Sequence, residues 1–296
     1  MATPSMRVRS YAKVNLALAV LGRRADGYHE IRTVFQSIDL YDELEIRPCA
    51  RLEVHCAGLG DVPDRENTVR RAAIALSQAA SPTSGAEILL TKRIPVGAGL
   101  GGGSSNAAAA LLGLRRFWEI GISEMELQSL SASIGSDVPF FLCGGTALGI
   151  GRGEEIYPLE EIPPAHLVIV FPGLHISTAA AYQALQLQLT SGEALNRIQN
   201  FCGCIGKDPR CVAGIFNDFE TSILPAYPAV KEARDFLLEQ GATAARLSGS
   251  GSSVFGFFSD EESALAASRS PLVREGWRVL PAKTLSRAEY FQSMFG

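Results

Sequence analysis

The stretch Pro95-Val96-Gly97-Ala98-Gly99-Leu100-Gly101-Gly102-Gly103-Ser104-Ser105-Asn106 governs how the rest of this chain is interpreted. Its five glycines cannot serve a packed core, because glycine has no side chain to bury and loses the most backbone freedom on ordering. Strong helix formers follow, and serine and asparagine at the junction favour a helix start. A glycine loop that enters a helix N-terminus offers free N–H groups and the positive end of the helix dipole. The stretch therefore predicts an anion site, most often one for phosphate.

Length and composition limit the class of protein. A chain of 296 residues predicts two domains, and the Pro-containing segment 160–164 is the best linker, giving domains 1–160 and 161–296. A net charge of −4 argues against a nucleic-acid partner. No apolar run reaches the roughly 18–20 residues that span a bilayer, and the polar segment Met1 to Ser10 lacks the apolar core of a signal peptide. We expect a cytoplasmic protein with no membrane or nucleic-acid partner.

The order of predicted elements favours an α+β fold. Met6 to Leu21 alternates as a strand, Glu124 to Ile134 is helical, and Gly144 to Pro158 is a glycine-rich strand. Strands and helices mix without a regular βαβ repeat, which fits a pair of α+β domains better than a doubly wound sheet.

Several polar residues stand out from the pattern of their neighbours. Lys13 and Asn15 share one face of the first strand, and periodicity alone favours a solvent-exposed sheet face. Tyr28 and His29 are either surface loop residues or a stacking platform with a hydrogen-bonding tip. Asp137 stands between a glycine and an apolar run, either as a helix or turn cap or as a carboxylate placed for chemistry.

Three interpretations of the glycine loop fail on their context. The pattern Gly97-x-Gly99-x-x-Gly102 matches a dinucleotide fingerprint, but Glu119, where the ribose-binding acid is expected, closes a predicted helix instead of a second strand. A Walker A loop requires lysine at the position of Gly103. A flexible linker is excluded because the segments on both sides are ordered and apolar.

The loop resembles the phosphate loop of the GHMP kinases, through Pro95-x-x-x-Gly99-Leu100-Gly101-Gly102-Gly103-Ser104-Ser105. Lys13-x-Asn15 and Ser248-Gly249-Ser250-Gly251 agree with the same superfamily. The resemblance implies a two-domain α+β fold, with an N-terminal domain similar to ribosomal protein S5, a ferredoxin-like C-terminal domain and the site between them.

Within the superfamily, the chain resembles the branch that phosphorylates the 2-hydroxyl of a cytidine-diphosphate-linked methylerythritol with ATP, in isoprenoid precursor synthesis. Five stretches carry this resemblance: Ala12 to Leu16, Arg24 to His29, Gly97 to Ala108, Gly135 to Phe141 and Asn217 to Glu220. Another GHMP small-molecule kinase and a catalytically inactive ligand-binding member are the alternatives. Tyr28-His29 disfavours the first alternative, and the presence of both Lys13 and Asp137 disfavours the second.

The resemblance assigns roles residue by residue. Asp137 would accept the proton of the substrate hydroxyl, and Lys13 would offset negative charge on the transferring phosphoryl group. The residues implied to bind the acceptor are Asn15, Tyr28, His29 and Tyr182. Tyr28 and Tyr182 would sandwich the cytosine, although Tyr182 is alternatively a helix residue that faces the core.

The resemblance also implies how the donor is bound. The residues expected to wrap the ATP phosphates are Pro95, Val96, Gly97, Ala98, Gly99, Leu100, Gly101, Gly102, Gly103, Ser104 and Ser105. We expect Mg²⁺ to bridge phosphate oxygens, and Ser105 is the only candidate protein ligand. Gly249 to Ser253 would lie near the phosphates of the donor or of the acceptor. The expected assembly is a monomer or a weak homodimer.

The cysteines carry no recognisable site pattern. Cys202, Cys204 and Cys211 lie close in sequence, but their spacing fits neither a paired C-x-x-C zinc site nor a disulfide framework. We expect all six cysteines to be reduced thiols without a function.

Overall fold

The computed structural model describes residues 5–57, 67–185, 191–206 and 214–295. In these ranges the strands are β1 (Met6–Arg23), β2 (His29–Cys49), β3 (Glu53–Ala57), β4 (Gly85–Thr91), β5 (Thr146–Ile150), β6 (Glu155–Pro158), β7 (His166–Phe171), β8 (Phe216–Asn217), β9 (Ala244–Leu247), β10 (Val254–Phe258) and β11 (Arg278–Lys283). The helices are α1 (Thr68–Ala80), α2 (Gly102–Phe117), α3 (Glu124–Ile134), α4 (Val138–Cys143), α5 (Thr178–Ala184), α6 (Ser191–Cys204), α7 (Glu220–Ala226), α8 (Pro228–Glu239), α9 (Glu261–Ser268) and α10 (Arg287–Met294).

Two sheets organise the molecule. The larger sheet has seven strands, in the order β3-β4-β2-β1-β8, with β5 paired to β2 and β6 paired to β5. The smaller sheet has four strands in the order β11-β7-β10-β9, and all of its pairs are antiparallel. This mixture of sheets and helices confirms the predicted α+β class.

Strands β1 and β2 form a long antiparallel pair that runs from Met6 opposite Ile46 to Arg23 opposite His29. Every residue from Ser10 to Val20 is buried, because α2 packs against β1 within the larger core and α6 packs against it as well. The expected solvent-exposed face for Lys13 and Asn15 is therefore wrong. Alternation shows which side chains share a face of a strand, but it cannot show that both faces are covered.

Segments far apart in sequence meet at the larger sheet. Strand β8 pairs in parallel with β1, and Phe295 bridges to Val8 after α10. Residue 160 follows β6, and the smaller sheet is built from residues beyond it, yet β8 crosses back to the larger sheet. The division at residue 160 stays a prediction.

Two sequence predictions are corrected at turns. The expected strand from Gly144 to Pro158 is two strands, β5 and β6, joined by a tight turn at residues 151–154. Helix α2 begins at Gly102, because Gly101 adopts a φ of +70° that turns the chain into the helix without a side-chain cap. The serines and asparagine expected to cap this helix lie inside its first turns instead.

Among the described cysteines, one departs from expectation. Cys49, Cys56, Cys143 and Cys202 are free thiols. Cys204 is disulfide-bonded, so the expectation of a reduced thiol is wrong there. Cys211 lies outside the described residues. Within the described ranges, none of the helices is long and apolar enough to cross a membrane.

Candidate active site

A cleft of about 1080 Å³ lies against the larger sheet and collects residues from distant parts of the chain. Its lining includes nearly all of the predicted site residues: Lys13, Asn15, Tyr28, His29, Pro95 to Ser104, Asp137 and Tyr182. It also includes Gly249 to Gly251 from the second small-residue loop. The fold thus brings the predicted donor and acceptor residues to one cleft.

Lys13 lies on β1 and lines this cleft, with 3% of its side chain exposed. Its ammonium donates to Asn15 Oδ1 at 2.7 Å and to the Gly99 carbonyl at 3.0 Å. Its Nζ also lies 3.7 Å from Asp137 Oδ2. Burial lowers the pKa of Lys13 below its usual 10.5, and the neighbouring Asp137 carboxylate partly opposes that shift.

Asp137 immediately precedes α4, but its side chain makes no capping hydrogen bond. One third of the side chain (33%) is exposed to the cleft. The sequence left two interpretations of Asp137 open, a helix cap and a carboxylate placed for chemistry. The structure favours the second, because this carboxylate does not cap the helix and faces the site beside Lys13.

Asn15 is buried, and most of its hydrogen-bonding groups are used within the protein. Its Oδ1 accepts from Lys13, and its Nδ2 donates to Thr33 Oγ1 at 2.8 Å, which in turn donates to the Ala17 carbonyl at 2.8 Å. These bonds fix the Lys13 ammonium in place. Asn15 still lines the cleft, with one amide hydrogen to offer a ligand.

The glycine loop is shaped by close backbone approaches. Gly97, Gly99 and Gly101 have φ values of +64°, +77° and +70°. A Cβ on Gly99 would lie 2.1 Å from the Ser248 carbonyl oxygen, and one on Gly97 would lie 2.0 Å from His175 Nδ1. Glycine is required at these positions both for its left-handed conformation and for the space.

The loop delivers the N-terminus of a sixteen-residue helix to the cleft. Since Gly101 provides no side-chain cap, the amides of the first turn remain available to an anion. Lys92 lies beneath this turn, within 3.2 Å of where a Cβ on Gly102 would be, and lines the cleft. The site therefore combines helix-terminal amides with a lysine charge.

A buried carboxylate anchors Lys92. Asp42 is fully buried and accepts from the Lys92 ammonium, from the amides of Arg93 (2.6 Å) and Ile94 (2.8 Å), and from Asn106 Nδ2 (2.8 Å). Asn106 Oδ1 also accepts from Lys92 at 3.0 Å. This network joins β2, the approach to the glycine loop and α2, so it fixes the loop at its base.

Ser105 does not occupy the position expected for a metal ligand. Its side chain is buried, and its hydroxyl donates to the Tyr11 carbonyl at 2.6 Å and accepts from Ser10 at 2.7 Å. The structure therefore gives no support to Ser105 as a magnesium ligand. Ser104 lines the cleft instead, and its hydroxyl has no hydrogen-bond partner among the described residues.

The other end of the cleft is aromatic. The rings of His29 and Tyr182 stack with centroids 4.4 Å apart and planes inclined by 10°. Tyr28 is half exposed (54%), and the Arg152 guanidinium carbon lies 4.8 Å from its ring centroid. The ring parallel to Tyr182 is thus His29, whereas the expected sandwich paired Tyr182 with Tyr28.

The two stacked rings are held in neutral forms. Burial, together with the charge of Arg23, lowers the pKa of His29 below its usual 6.5. A neutral imidazole offers one donor and one acceptor nitrogen, a pair that suits the edge of a nucleobase. Burial raises the pKa of the Tyr182 phenol, and the Asp137 charge adds to that shift.

A second loop closes over Lys13 from the C-terminal half. Ser248 Oγ donates to the Gly99 carbonyl at 2.9 Å, and Gly249 lies close enough that a Cβ there would be 3.3 Å from Lys13 Nζ. Asn217 on β8 holds this loop, donating from Nδ2 to the carbonyls of Leu247 and Gly249, both at 2.8 Å. The conformation of this loop therefore depends on β8.

The charges of the cleft favour anionic ligands. Among the described lining residues, four are cationic and Asp137 alone is acidic: the cations are Lys13, Arg23, Lys92 and Arg152. The one cluster of three or more potential metal ligands in the described chain is Glu53, His55 and Glu87, on β3 and β4 outside the cleft. A carboxylate beside a buried lysine, next to an anion loop, can position a hydroxyl, receive its proton and stabilise phosphoryl charge.

Comparison with known proteins gives the family. Residues 67–145 match the GHMP kinases N terminal domain, and residues 193–270 match the GHMP kinases C terminal model. A 4-diphosphocytidyl-2-C-methyl-D-erythritol kinase of Prosthecochloris aestuarii is 43% identical, over 88% of this chain and 91% of its own. The chain belongs to the GHMP kinase family.

Further comparisons agree with this assignment. Another protein of the same name, from Pelotomaculum thermopropionicum, is 46% identical to this GHMP kinase over 86% of the chain and 89% of its own length. A crystal structure of a 4-(cytidine 5'-diphospho)-2C-methyl-D-erythritol kinase superposes with a TM-score of 0.78 at 34% identity, covering 94% and 99% of the two chains. Homoserine kinase from Cytophaga hutchinsonii shares the fold, with a TM-score of 0.75 at 18% identity and 97% and 96% coverage. The predicted two-domain GHMP kinase fold is confirmed.

Some residues that line or support the cleft of this GHMP kinase were not predicted from the sequence. Lys92 lies three residues before the glycine loop, so a search for cations beside the loop would have found it. Asp42 and Arg152 gave no comparable signal, because only the tertiary fold brings β2 and the β5–β6 turn to the cleft.

Proposed function

We propose that this chain transfers the γ-phosphoryl group of ATP to the 2-hydroxyl of 4-diphosphocytidyl-2-C-methyl-D-erythritol, in the non-mevalonate route to isoprenoid precursors. The observation that carries the proposal is the Lys13–Asp137 pair, 3.7 Å apart, in a cleft with an anion loop and an aromatic end. Relatives of that name, more than 40% identical over most of the chain, support the choice of acceptor.

In the proposed reaction, the acceptor hydroxyl oxygen bonds to the γ-phosphorus while the bond from that phosphorus to the ADP oxygen breaks. The hydroxyl proton passes to the Asp137 carboxylate. The Lys13 ammonium stabilises negative charge on the carboxylate and on the transferring group. The protein takes little part in the covalent chemistry, since phosphoryl transfer depends mainly on positioning and electrostatics.

The donor phosphates would bind at the segment Pro95 to Ser104 and the first turn of α2. The cleft continues from there past Lys92 to the start of α1 at Asn67 and Thr68, which leaves room for the rest of the nucleotide. Thr68 Oγ1 donates to the Gly103 carbonyl at 2.7 Å and so ties this end of the cleft to the loop.

Magnesium would enter with the nucleotide. A lining poor in carboxylates fits Mg²⁺, because this ion keeps several waters and is bound largely through substrate phosphates. The Ser104 hydroxyl is the side chain that would hold it, while Asp137 stays free of the ion to accept the substrate proton. When bound, the ion neutralises phosphate charge.

The acceptor would bind with its base at Tyr28, His29 and Tyr182. Stacking on aromatic rings and the two nitrogens of a neutral imidazole suit cytosine, and base–aromatic stacking contributes about 1–3 kcal/mol per base. Because His29 and Tyr182 stack on each other, a base inserted between them would require one ring to move.

The test is an assay of ADP release with ATP, Mg²⁺ and 4-diphosphocytidyl-2-C-methyl-D-erythritol. Asp137→Asn is expected to lower kcat by at least about a hundredfold while leaving ATP affinity unchanged, because it removes the proton acceptor. Asp235→Asn is a matched control: that carboxylate is also about one third exposed (31%) and is paired with Lys231, but it lies outside the cleft.

Each alternative gives a distinct result. Turnover of homoserine or mevalonate without turnover of the cytidine substrate would assign the chain to another GHMP kinase activity. Nucleotide binding without turnover of any of the three would indicate an inactive ligand-binding member. Full activity of Asp137→Asn would remove this residue from the mechanism.

A further inference from the structure

The turn between β5 and β6 lies between the two ends of the acceptor site. Its Gly151 carbonyl accepts from the Ile31 amide at 2.8 Å, which fixes the turn to β2 two residues beyond His29. Gly153 in the same turn is buried, and a Cβ there would lie 3.8 Å from Asp137 Oδ1. The turn therefore spans from the aromatic end of the cleft to the carboxylate.

Arg152 projects from this turn in a fixed orientation. Its Nε donates to Glu154 Oε1 at 2.8 Å, and its backbone amide donates to Glu154 Oε2 at 2.6 Å. The guanidinium carbon lies 4.8 Å from the ring centroid of Tyr28. One edge and one face of the guanidinium are thus occupied by the protein itself.

The remaining edge of the guanidinium is open to the cleft. Within the described part of the chain, neither Nη1 nor Nη2 has a hydrogen-bond partner, and Arg152 lines the cleft. A planar guanidinium with two free terminal nitrogens matches a phosphate group bidentately.

Among the described residues no carboxylate hydrogen-bonds to this edge, although the charge of Asp26 acts on Arg152 from a distance. Asp26 and Glu30, the other acids near Tyr28, are paired with arginines of their own: Arg24 bonds to both, and Arg32 bonds to Glu30. The Arg23 side chain is exposed at the same end of the cleft and adds positive charge. Arg23 and Arg152 therefore both bring positive charge to this end of the cleft, where Glu154 pairs with the Arg152 guanidinium through Nε alone.

We infer that Arg152 binds the diphosphate of the acceptor substrate. This inference rests on the proposed function: in a cytidine-diphosphate-linked polyol, the diphosphate connects the base-bearing nucleoside to the part that carries the reacting hydroxyl. With the base at Tyr28 and the hydroxyl at Asp137, the diphosphate lies along the turn that carries Arg152. The same guanidinium stacks on Tyr28, so Arg152 both orients the Tyr28 ring and binds the phosphate group beside it.

The donor phosphates are a second possible source of anion, and the experiment separates the two. Affinities of cytidine and of CDP are measured calorimetrically with Mg²⁺ and saturating ADP, so that the glycine loop is occupied. Wild-type protein is expected to bind CDP more tightly than cytidine. In Arg152→Gln, CDP affinity is expected to fall by about tenfold to a hundredfold, the usual effect of losing a charge-assisted hydrogen bond, with cytidine affinity unchanged.

Two variants serve as controls. Arg115→Gln removes an arginine with the same exposed fraction (30%), which is paired with Glu124 outside the cleft, and is expected to behave as wild type. Arg152→Lys keeps the charge without the planar fork and is expected to recover part of the CDP affinity. In turnover assays, Arg152→Gln is expected to raise KM for the acceptor with little change in KM for ATP.

The outcomes distinguish failure of this inference from failure of the proposed function. An equal loss of cytidine and CDP affinity would show that Arg152 acts only by holding Tyr28, and it would overturn the inference. Reduced affinity for ADP alone would assign the guanidinium to the donor, with the same consequence. If the wild-type protein bound neither cytidine nor CDP, the proposed acceptor itself would fail, whatever the variants did.

Discussion

Lys13 and Asp137 differ in exposure, and that difference governs what each can do. Lys13 is enclosed by Asn15, Gly99 and the Ser248–Gly251 loop, whereas a third of the Asp137 side chain meets solvent and ligand. A buried ammonium acts in a low dielectric, where its field on a phosphoryl group is stronger than in water. The cost of that burial appears as the lowered pKa of Lys13.

The lowered pKa of Lys13 predicts an alkaline limit on activity. We expect kcat/KM to fall as pH rises through a pKa below 10.5, because the neutral amine of the free enzyme no longer stabilises phosphoryl charge. A pH profile of kcat/KM measures this limit. An alkaline limb at or above 10.5, or undiminished turnover by Lys13→Met, would contradict the assignment.

Stability should change with pH in the opposite direction. A lysine whose pKa is lower in the folded than in the unfolded chain opposes folding while it is charged in both states. This opposition begins to decrease as pH rises through the folded pKa and is lost above the unfolded value of about 10.5. The free energy of unfolding of wild type relative to Lys13→Met is therefore expected to increase between the folded pKa of Lys13 and about pH 10.5.

Residue-level sequence reasoning succeeded where neighbours in the chain carry the signal. Alternation placed Lys13 and Asn15 on one face, and they hydrogen-bond to each other. It failed for Ser105, whose hydroxyl points to Tyr11, because a motif gives residue order but not the direction of a side chain within the first turn of a helix.

At the scale of elements, the site depends on two loops that face each other. The Gly99 carbonyl accepts from both Lys13 and Ser248, and the Ser253 amide donates to the Ala98 carbonyl at 3.1 Å. Such close backbone approach leaves no room for a side chain at Gly99. The glycine pattern is thus explained by the second loop as well as by the proposed binding of phosphate.

Gly99→Ala should therefore impair both folding and nucleotide binding. The added Cβ would lie 2.1 Å from the Ser248 oxygen, at a φ of +77°. A left-handed conformation alone costs an L-residue about 1–2 kcal/mol, and the clash adds to it. We expect the free energy of unfolding to fall by at least about 2 kcal/mol and KM for ATP to rise about tenfold or more. Chemical denaturation and steady-state kinetics measure the two effects.

Gly121→Ala is the control for that variant, since nothing lies within 4 Å of its added Cβ and its φ is not in the left-handed region. It is expected to leave stability and kinetics unchanged. Equal effects of the two substitutions would show that Gly99 is not held by the second loop.

At the scale of the whole molecule, the C-terminal helix completes the N-terminal core. Tyr290 on α10 is buried against Tyr11 of β1, and its hydroxyl donates to the Phe141 carbonyl on α4 at 2.8 Å. Helix α4 begins immediately after Asp137, so the end of the chain supports the segment that carries the candidate base.

Tyr290→Ala is accordingly expected to cost about 3–5 kcal/mol of unfolding free energy, as large-to-small aromatic substitutions in cores do. Phe291→Ala, at the next position and 36% exposed, is expected to cost about 1 kcal/mol or less. Denaturant midpoints of the two variants measure the difference. A Tyr290 variant no less stable than the Phe291 variant would contradict this role for α10.

The sequence by itself determined the local elements and the chemistry they carry. Glycine spacing predicted the anion loop, alternation predicted β1, and ordered motifs predicted the GHMP kinase family, which the comparisons confirm. These features depend on residues close together in the chain, where backbone preference and side-chain periodicity act directly.

Only the tertiary structure decided what surrounds those elements. The fold buries Lys13 between two halves of the chain and pairs Lys92 with Asp42. It also stacks His29 on Tyr182 and places the turn that carries Arg152 between Tyr28 and Asp137. Each of these contacts joins residues far apart in sequence, and each depends on which faces the packed sheets cover. The local sequence pattern does not specify that packing. The burial and lowered pKa of Lys13 and the open edge of Arg152 therefore follow from the fold alone.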